Sequence, residues 1–284
     1  MKKIFLFWLT GILILNFSIW ACEKKTPDVP DDEDPKEDTL KIQIAPKIIG
    51  LVPYEVSESS GMAMTTPGKI WSHNDSGGKN ELYCIDFSGH VLKTLAISNA
   101  ANVDWEELAA DNQNRVYIGD FGNNNNGRKD LVIYRIPDPE SVSENAVEAE
   151  TIFFSFEDQT AFPPPVSERH FDVEAMVWKN DSLFLFTKDR SSPLAGITKL
   201  YKLPASPGTH IARLAGSIIT GNTTTAARVT SADIDPVSGD LALLMQEKLI
   251  VFRNYPGNHF FAGKKIEYPF VPMPGQVEAI FFSG

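Results

Sequence analysis

From about Ile42 onward the chain runs in short stretches of alternating apolar and polar positions, broken by Gly, Asn, Asp and Pro. No long stretch carries the 3.6-residue apolar period of an amphipathic helix, so the pattern predicts strands and turns. The stretches also repeat. A first strand recurs at residues 58–63 (ESSGMA), 104–109 (DWEELA), 172–177 (DVEAMV), 230–235 (TSADID) and 276–281 (QVEAIF). A second strand is expected at 69–75, 115–120, 183–188 and 241–246, a third at 81–86, 131–136, 199–203 and 249–253, and a fourth at 91–97, 151–156, 212–218 and 264–270. Four strands per unit, repeated roughly every 46 to 68 residues, is the pattern of propeller blades around a channel. A β-sandwich is the alternative, but it would not require the same first-strand signature five times. The expected fold class is therefore all-β, a β-propeller of about five four-stranded blades.

The extra length per unit sits in polar or Pro-rich insertions at 138–150, 159–170 and 221–228, which read as loops. The fifth unit stops at Gly284, just after its first strand. Its edge needs a cover. The run 40–49 is the candidate for one strand, and a missing C-terminal piece is the further expectation.

The motifs ESSG at 58–61, IWSHNDSG at 70–77, VDWEELA at 103–109, YIGDFGNN at 117–124, DVEAM at 172–176, RVTSAD at 228–233 and QVEAI at 276–280 carry a resemblance. Over about residues 55–284 the chain resembles a bacterial family of secreted propellers of unassigned activity. More distantly it is similar to the SdiA-regulated and NHL-repeat propellers. The SdiA-regulated likeness implies five blades and a bound calcium ion. It transfers no catalytic residue.

The first residues read as an address. Lys2 and Lys3 precede an apolar run from Ile4 to Trp20, the form of a secretory signal. The run ends Ile19-Trp20-Ala21-Cys22, which resembles a bacterial lipobox, with Cys22 as the lipidation site. Residues 1–21 are thus expected to be a lipoprotein signal peptide, 22–39 an acidic, proline-bearing disordered tether, and 40–284 the propeller. That places the protein in the bacterial cell envelope, at the outer membrane or cell surface, held to the membrane by palmitate-type acylation of Cys22. Cys84 is left as a buried apolar group in a strand.

Composition narrows the remaining choices. A hydrophobic fraction of 43% and a charged fraction of 22% suit a globular domain. The formal charge of −11 argues against nucleic acid as a partner. No P-loop, GxGxxG, GxSxG or HExxH pattern is present. The protein is expected to be a monomer.

The repeated strand carries acids that a propeller would gather at one mouth. Alternation sends the first and third positions of the signature the same way. That converges Glu58, Asp104, Glu106, Asp172, Glu174 and Glu278, with Asp75 and Asp120 arriving from the ends of second strands. So many anions must be solvated, protonated, paired with a base or neutralised by a cation. Oxygen-only ligands suit calcium or magnesium better than zinc. Arg128, Arg135, Arg169, Lys188 and Arg228 are candidate counter-charges, and the alternative is that the acids cap loop amides. Two functions follow. One is an extracytoplasmic propeller binding a ligand, protein partner or surface polymer at an acidic, calcium-bearing mouth. The other is a metal-dependent hydrolase of esters, lactones or phosphate esters, with Asp104, Glu106 and Glu174 on the ion and His73 or Asp172 as base.

Overall fold

The alternating stretches pair into four blades, each of four antiparallel strands. The computed structural model describes residues 39–283, so the leader, Cys22 and most of the acidic tether lie outside the described residues. Blade one is Ser59–Thr66, Lys69–Asn74, Glu81–Ile85 and Val91–Ile97. Blade two is Trp105–Ala110, Val116–Asp120, Val132–Ile136 and Glu150–Phe156. Blade three is Asp172–Lys179, Ser182–Lys188, Ile197–Pro204 and Gly208–Ile219. Blade four is Val229–Ile234, Leu241–Met245, Lys248–Arg253 and Lys264–Pro269. Within each blade successive strands pair antiparallel, and the inner strands of blades one to four stand side by side in chain order. Tight turns join them where the sequence supplies the residues. Asn180 and Asp181, both with positive φ (49° and 54°), close a two-residue hairpin in blade three.

The ring closes on one extended segment. Residues 276–282 lie between blade four and blade one without joining either ladder. Val277 and Ile280 pack with Leu244, Leu249 and Tyr268 of blade four, while Ala279 and Phe281 pack with Met62, Ile70 and Tyr83 of blade one. Backbone N–H groups of this segment are held by blade four: Ile280 donates to Ser231 Oγ (3.1 Å) and Phe282 to Asp233 Oδ2 (2.7 Å).

Three outer-edge pairings depart from expectation. Leu40–Lys41 does not serve the fifth unit; it pairs parallel with the outer strand of blade four, Leu40 opposite Ile266. Ala146–Val147, inside an insertion expected to be loop, pairs parallel with the outer strand of blade one. The outer strands of blades two and three pair parallel along Ile152–Phe156 and Gly208–Ala212. Each pairing removes an open edge.

The core lies between blades. Trp71 and Trp105 are fully buried in the cluster joining blades one and two. Trp105 alternates away from the flanking acids into this core, as period-2 geometry requires. Phe154, Phe156, Phe171 and Tyr201 fill the next interface, and Phe184, Phe186, Phe252 and Phe260 the one after. Phe154 and Phe156 meet edge to face at 5.6 Å, Phe184 and Phe260 at 5.0 Å. Each such ring contributes about 1.5–3 kcal/mol through burial, so the wedge-shaped gaps between blades hold the ring together.

Candidate cation site at the channel mouth

Every inner strand of the four blades carries a bulge near its start. The register slips between Ser59 and Met62, Trp105 and Glu107, Val173 and Ala175, and Val229 and Ser231. One extra residue breaks the alternation, so neighbours in the chain both turn toward the axis. This corrects the expected alignment of blade four. Its signature begins at Arg228 rather than Thr230. The leading position therefore reads Glu58, Asp104, Asp172, Arg228, Gln276, and the third reads Ser60, Glu106, Glu174, Thr230, Glu278. The mouth is acidic on blades one to three and carries an arginine on blade four.

Three of the expected acids form one group. Asp75, from the end of the second strand of blade one, meets Asp104 and Glu106 of blade two, with one ligand oxygen of each within 4.8 Å of the others. Glu106 is buried, Asp104 half-buried and Asp75 exposed. None of the three makes an ion pair among the described residues. Burial, then Glu174, Asp172, Asp104 and Asp75, hold the Glu106 carboxyl well above its usual range. Burial and the neighbouring Asp172 and Asp75 charges push Asp104 up to about 6. Gly122 explains how the backbone comes so near. A Cβ there would lie 2.3 Å from Glu106 Oε1 and 2.4 Å from Asp104 Oδ2.

The other expected ligands are already occupied or lie apart. Asp172 accepts the Asn123 N–H (2.6 Å) and pairs with Arg190 Nε. Glu174 is bracketed by Arg190 (2.9 Å) and Lys188 (2.8 Å). Burial pushes the Glu174 carboxyl up to about 7 against the pull of these cations. Asp120 binds Arg128 (3.0 Å) and the Asp104 N–H (3.0 Å). Glu58 is exposed, and its backbone N–H goes to Asn74 Oδ1. Glu278 lies across the ring, beside Lys188, Arg190 and Arg228. The expected convergence thus splits into a trio without an ion pair among the described residues, the neutralised acids Asp120, Asp172 and Glu174, and Glu58 and Glu278, which stand apart from both. Of the expected counter-charges, Arg128 and Lys188 serve. Arg135 pairs instead with Glu150 on the outer strand of blade two, and Arg169 and Arg228 make no ion pair among the described residues.

His73 is fully buried. Its Nε2 accepts the Gly61 N–H (3.3 Å), which leaves the proton on Nδ1 to donate to Asn74 O (2.9 Å). Burial lowers its pKa to about 4, so the ring is neutral and fully engaged at pH 7. Cys84 is buried, and its thiol is pushed up to about 12 by that burial and by Glu140.

Sequence reasoning missed two groups. Arg190, which ties Asp172 to Glu174, lies two residues beyond the second strand of blade three, outside any repeated motif. Glu107, the second inward residue of its bulge, reaches across the ring to blade four. Its Oε2 accepts from Ser231 Oγ and from the Ala232 N–H (3.2 Å), and its Oε1 from the Leu108 N–H (3.0 Å). Ser231 in turn accepts from Ile280, so one buried relay joins blade two, blade four and the closing segment. The run of consecutive acids at 106–107 was the only sequence signal for it.

Fold and site together define a β-propeller with a crowded carboxylate group at one mouth. No protein-family model matches the chain, and no curated protein does. Solved structures similar in shape include a protein of unknown function from Bacteroides thetaiotaomicron, 7% identical over 73% of this chain and 42% of that one, with a TM-score of 0.41. A nidogen/laminin complex chain is 11% identical over 69% of this chain and 60% of its own, at 0.42. A gluconolactonase from Xanthomonas campestris is 10% identical over 77% and 64%, at 0.43. This chain thus spans less than two thirds of the length of each.

Proposed function

We propose that this protein is a calcium-binding recognition propeller of the bacterial cell envelope, anchored through lipidated Cys22, which takes its ligand at the Asp75–Asp104–Glu106 mouth. The observation that carries the reading is the contrast between this trio and its neighbours. Asp120, Asp172 and Glu174 each make an ion pair with a basic side chain, whereas Asp75, Asp104 and Glu106 are crowded together and make none among the described residues. Oxygens within 4.8 Å of one another match the spacing around a hard cation held at about 2.3–2.6 Å from each ligand. Two carboxyls held above their usual range are those that a divalent ion would most relieve. A calcium ion there would neutralise the trio and offer its remaining coordination positions to oxygen atoms of a ligand.

Recognition is favoured over hydrolysis of esters, lactones or phosphate esters by the state of the nominated bases. His73 is neutral with both ring nitrogens engaged, and Asp172 is locked between Arg190 and a backbone amide. Neither is free to take a proton from an attacking water. The test is thermal unfolding with calcium against chelator. Calcium at one hundred times its dissociation constant stabilises by about 2.7 kcal/mol, a gain that Asp104→Asn should abolish. An equal calcium shift in that variant would remove the trio as the site.

A further inference from the structure

The corrected alignment of blade four gives the mouth a second half. Arg228 stands where blades two and three place Asp104 and Asp172. It lines a cavity of about 230 Å³ together with Lys188, Arg190, Thr224, Thr230 and Gln246, closed on one side by Gln276 and Glu278. The side chain of Gln276 donates to Glu278. Lys188 and Arg190 are shared with Glu174 and Asp172 and form the wall toward the acidic side. Arg228 is different. Its Nε donates to Asp189 O (3.0 Å), it makes no ion pair among the described residues, and its terminal nitrogens are left for the cavity. The side chains of Thr224 and Gln246 make no hydrogen bond among the described residues. The lining thus offers guanidinium, ammonium, hydroxyl and amide donors against one carboxylate.

We propose that this cavity is an oxyanion subsite for a phosphate group. The ligand of the mouth would then be a phosphorylated compound that places its phosphate against Arg228, Lys188 and Arg190 and a further oxygen on the cation at Asp75–Asp104–Glu106. The inference deepens the calcium reading and depends on it only for the second contact. Three physical points carry it. The cavity has room for several water-sized groups. A guanidinium without a carboxylate partner binds a tetrahedral oxyanion through paired N–H donors. Opposite charges placed on opposite sides of one mouth also orient a ligand that carries both a chelating oxygen and an anionic head.

The experiment titrates the full chain with inorganic phosphate by calorimetry at low salt with chelator present, and separately with calcium in the absence of phosphate. Wild-type protein is expected to bind phosphate, Arg228→Gln to bind it about tenfold more weakly, and Asp104→Asn to bind it at least as well as wild type. Arg228→Gln should keep its calcium affinity within about twofold, since it lies outside the trio. If loss of the contact to Asp189 lowers the melting temperature of that variant, Gln246→Leu carries the test, with a loss of about threefold expected from one amide contact. The subsite is overturned if wild-type protein gives no phosphate binding, or if Arg228→Gln and Gln246→Leu both bind as wild type does. Phosphate binding that depends on Arg228 while calcium fails to bind would retain the subsite and remove the cation reading.

Discussion

Replacing Ser231 with alanine should weaken ring closure more than the loss of one hydroxyl suggests. Ser231 is fully buried and works in both directions, accepting from the Ile280 N–H of the closing segment and donating to Glu107 of blade two. Its removal strands a buried backbone N–H, which costs about 1–3 kcal/mol, and takes one of three donors from a fully buried carboxyl, which costs about another 1 kcal/mol. The sum is about 2–4 kcal/mol, or roughly 5–15 °C in melting temperature for a domain of this size. Urea unfolding followed by tryptophan fluorescence should show the midpoint falling with an unchanged slope. A double-mutant cycle with Glu107→Gln should return a coupling of at least about 1 kcal/mol. A Ser231→Ala loss below about 0.5 kcal/mol, with no coupling, would refute the claim that this relay closes the ring.

Gly122→Ala should abolish the calcium-induced thermal shift, because its Cβ would collide with Asp104 and Glu106; an unchanged shift would contradict the close approach. Arg190→Met leaves Asp172 and Glu174 without their shared guanidinium and should cost about 3–5 kcal/mol in urea unfolding at pH 7; a loss below about 1 kcal/mol would contradict the role given to this guanidinium. Burial pushes Asp233 up to about 7 in the folded chain. The folded state then holds a proton that the unfolded state has released above about pH 4, so the Asp233 contribution to stability is fully present below about pH 4 and is lost as pH rises toward 7. Asp233 is partly open to a cavity at its end of the channel, so solvent trims its contribution to on the order of 2 kcal/mol. Asp233→Asn should flatten this part of the stability profile between pH 4 and 7; an identical profile would show that the group does not titrate in that window.

The strands of the four blades were legible in the sequence because period-2 alternation and turn residues are local signals. The interblade placement of Trp105 followed from the same alternation. Register was not legible. A bulge adds a residue without changing the polarity pattern, so TSADID at 230–235 matched the other first strands while the true counterpart began two residues earlier, at Arg228. That slip hid a reversal of charge at a repeated position. The trio was legible as residues but not as a group apart from its neighbours. What separates it from Asp172 and Glu174 is Arg190, which belongs to no motif. The parallel pairings at the blade edges rest on segments as short as Ala146–Val147, too brief to carry a pattern.

Calcium titration of the full chain by calorimetry, beside Glu106→Gln, tests the central claim most directly. Saturable binding near one ion per chain, lost or weakened at least about tenfold in the variant, is the predicted result. No heat in the wild type, or the same affinity in both proteins, would mean that the unpaired carboxylates at the mouth do not hold a cation.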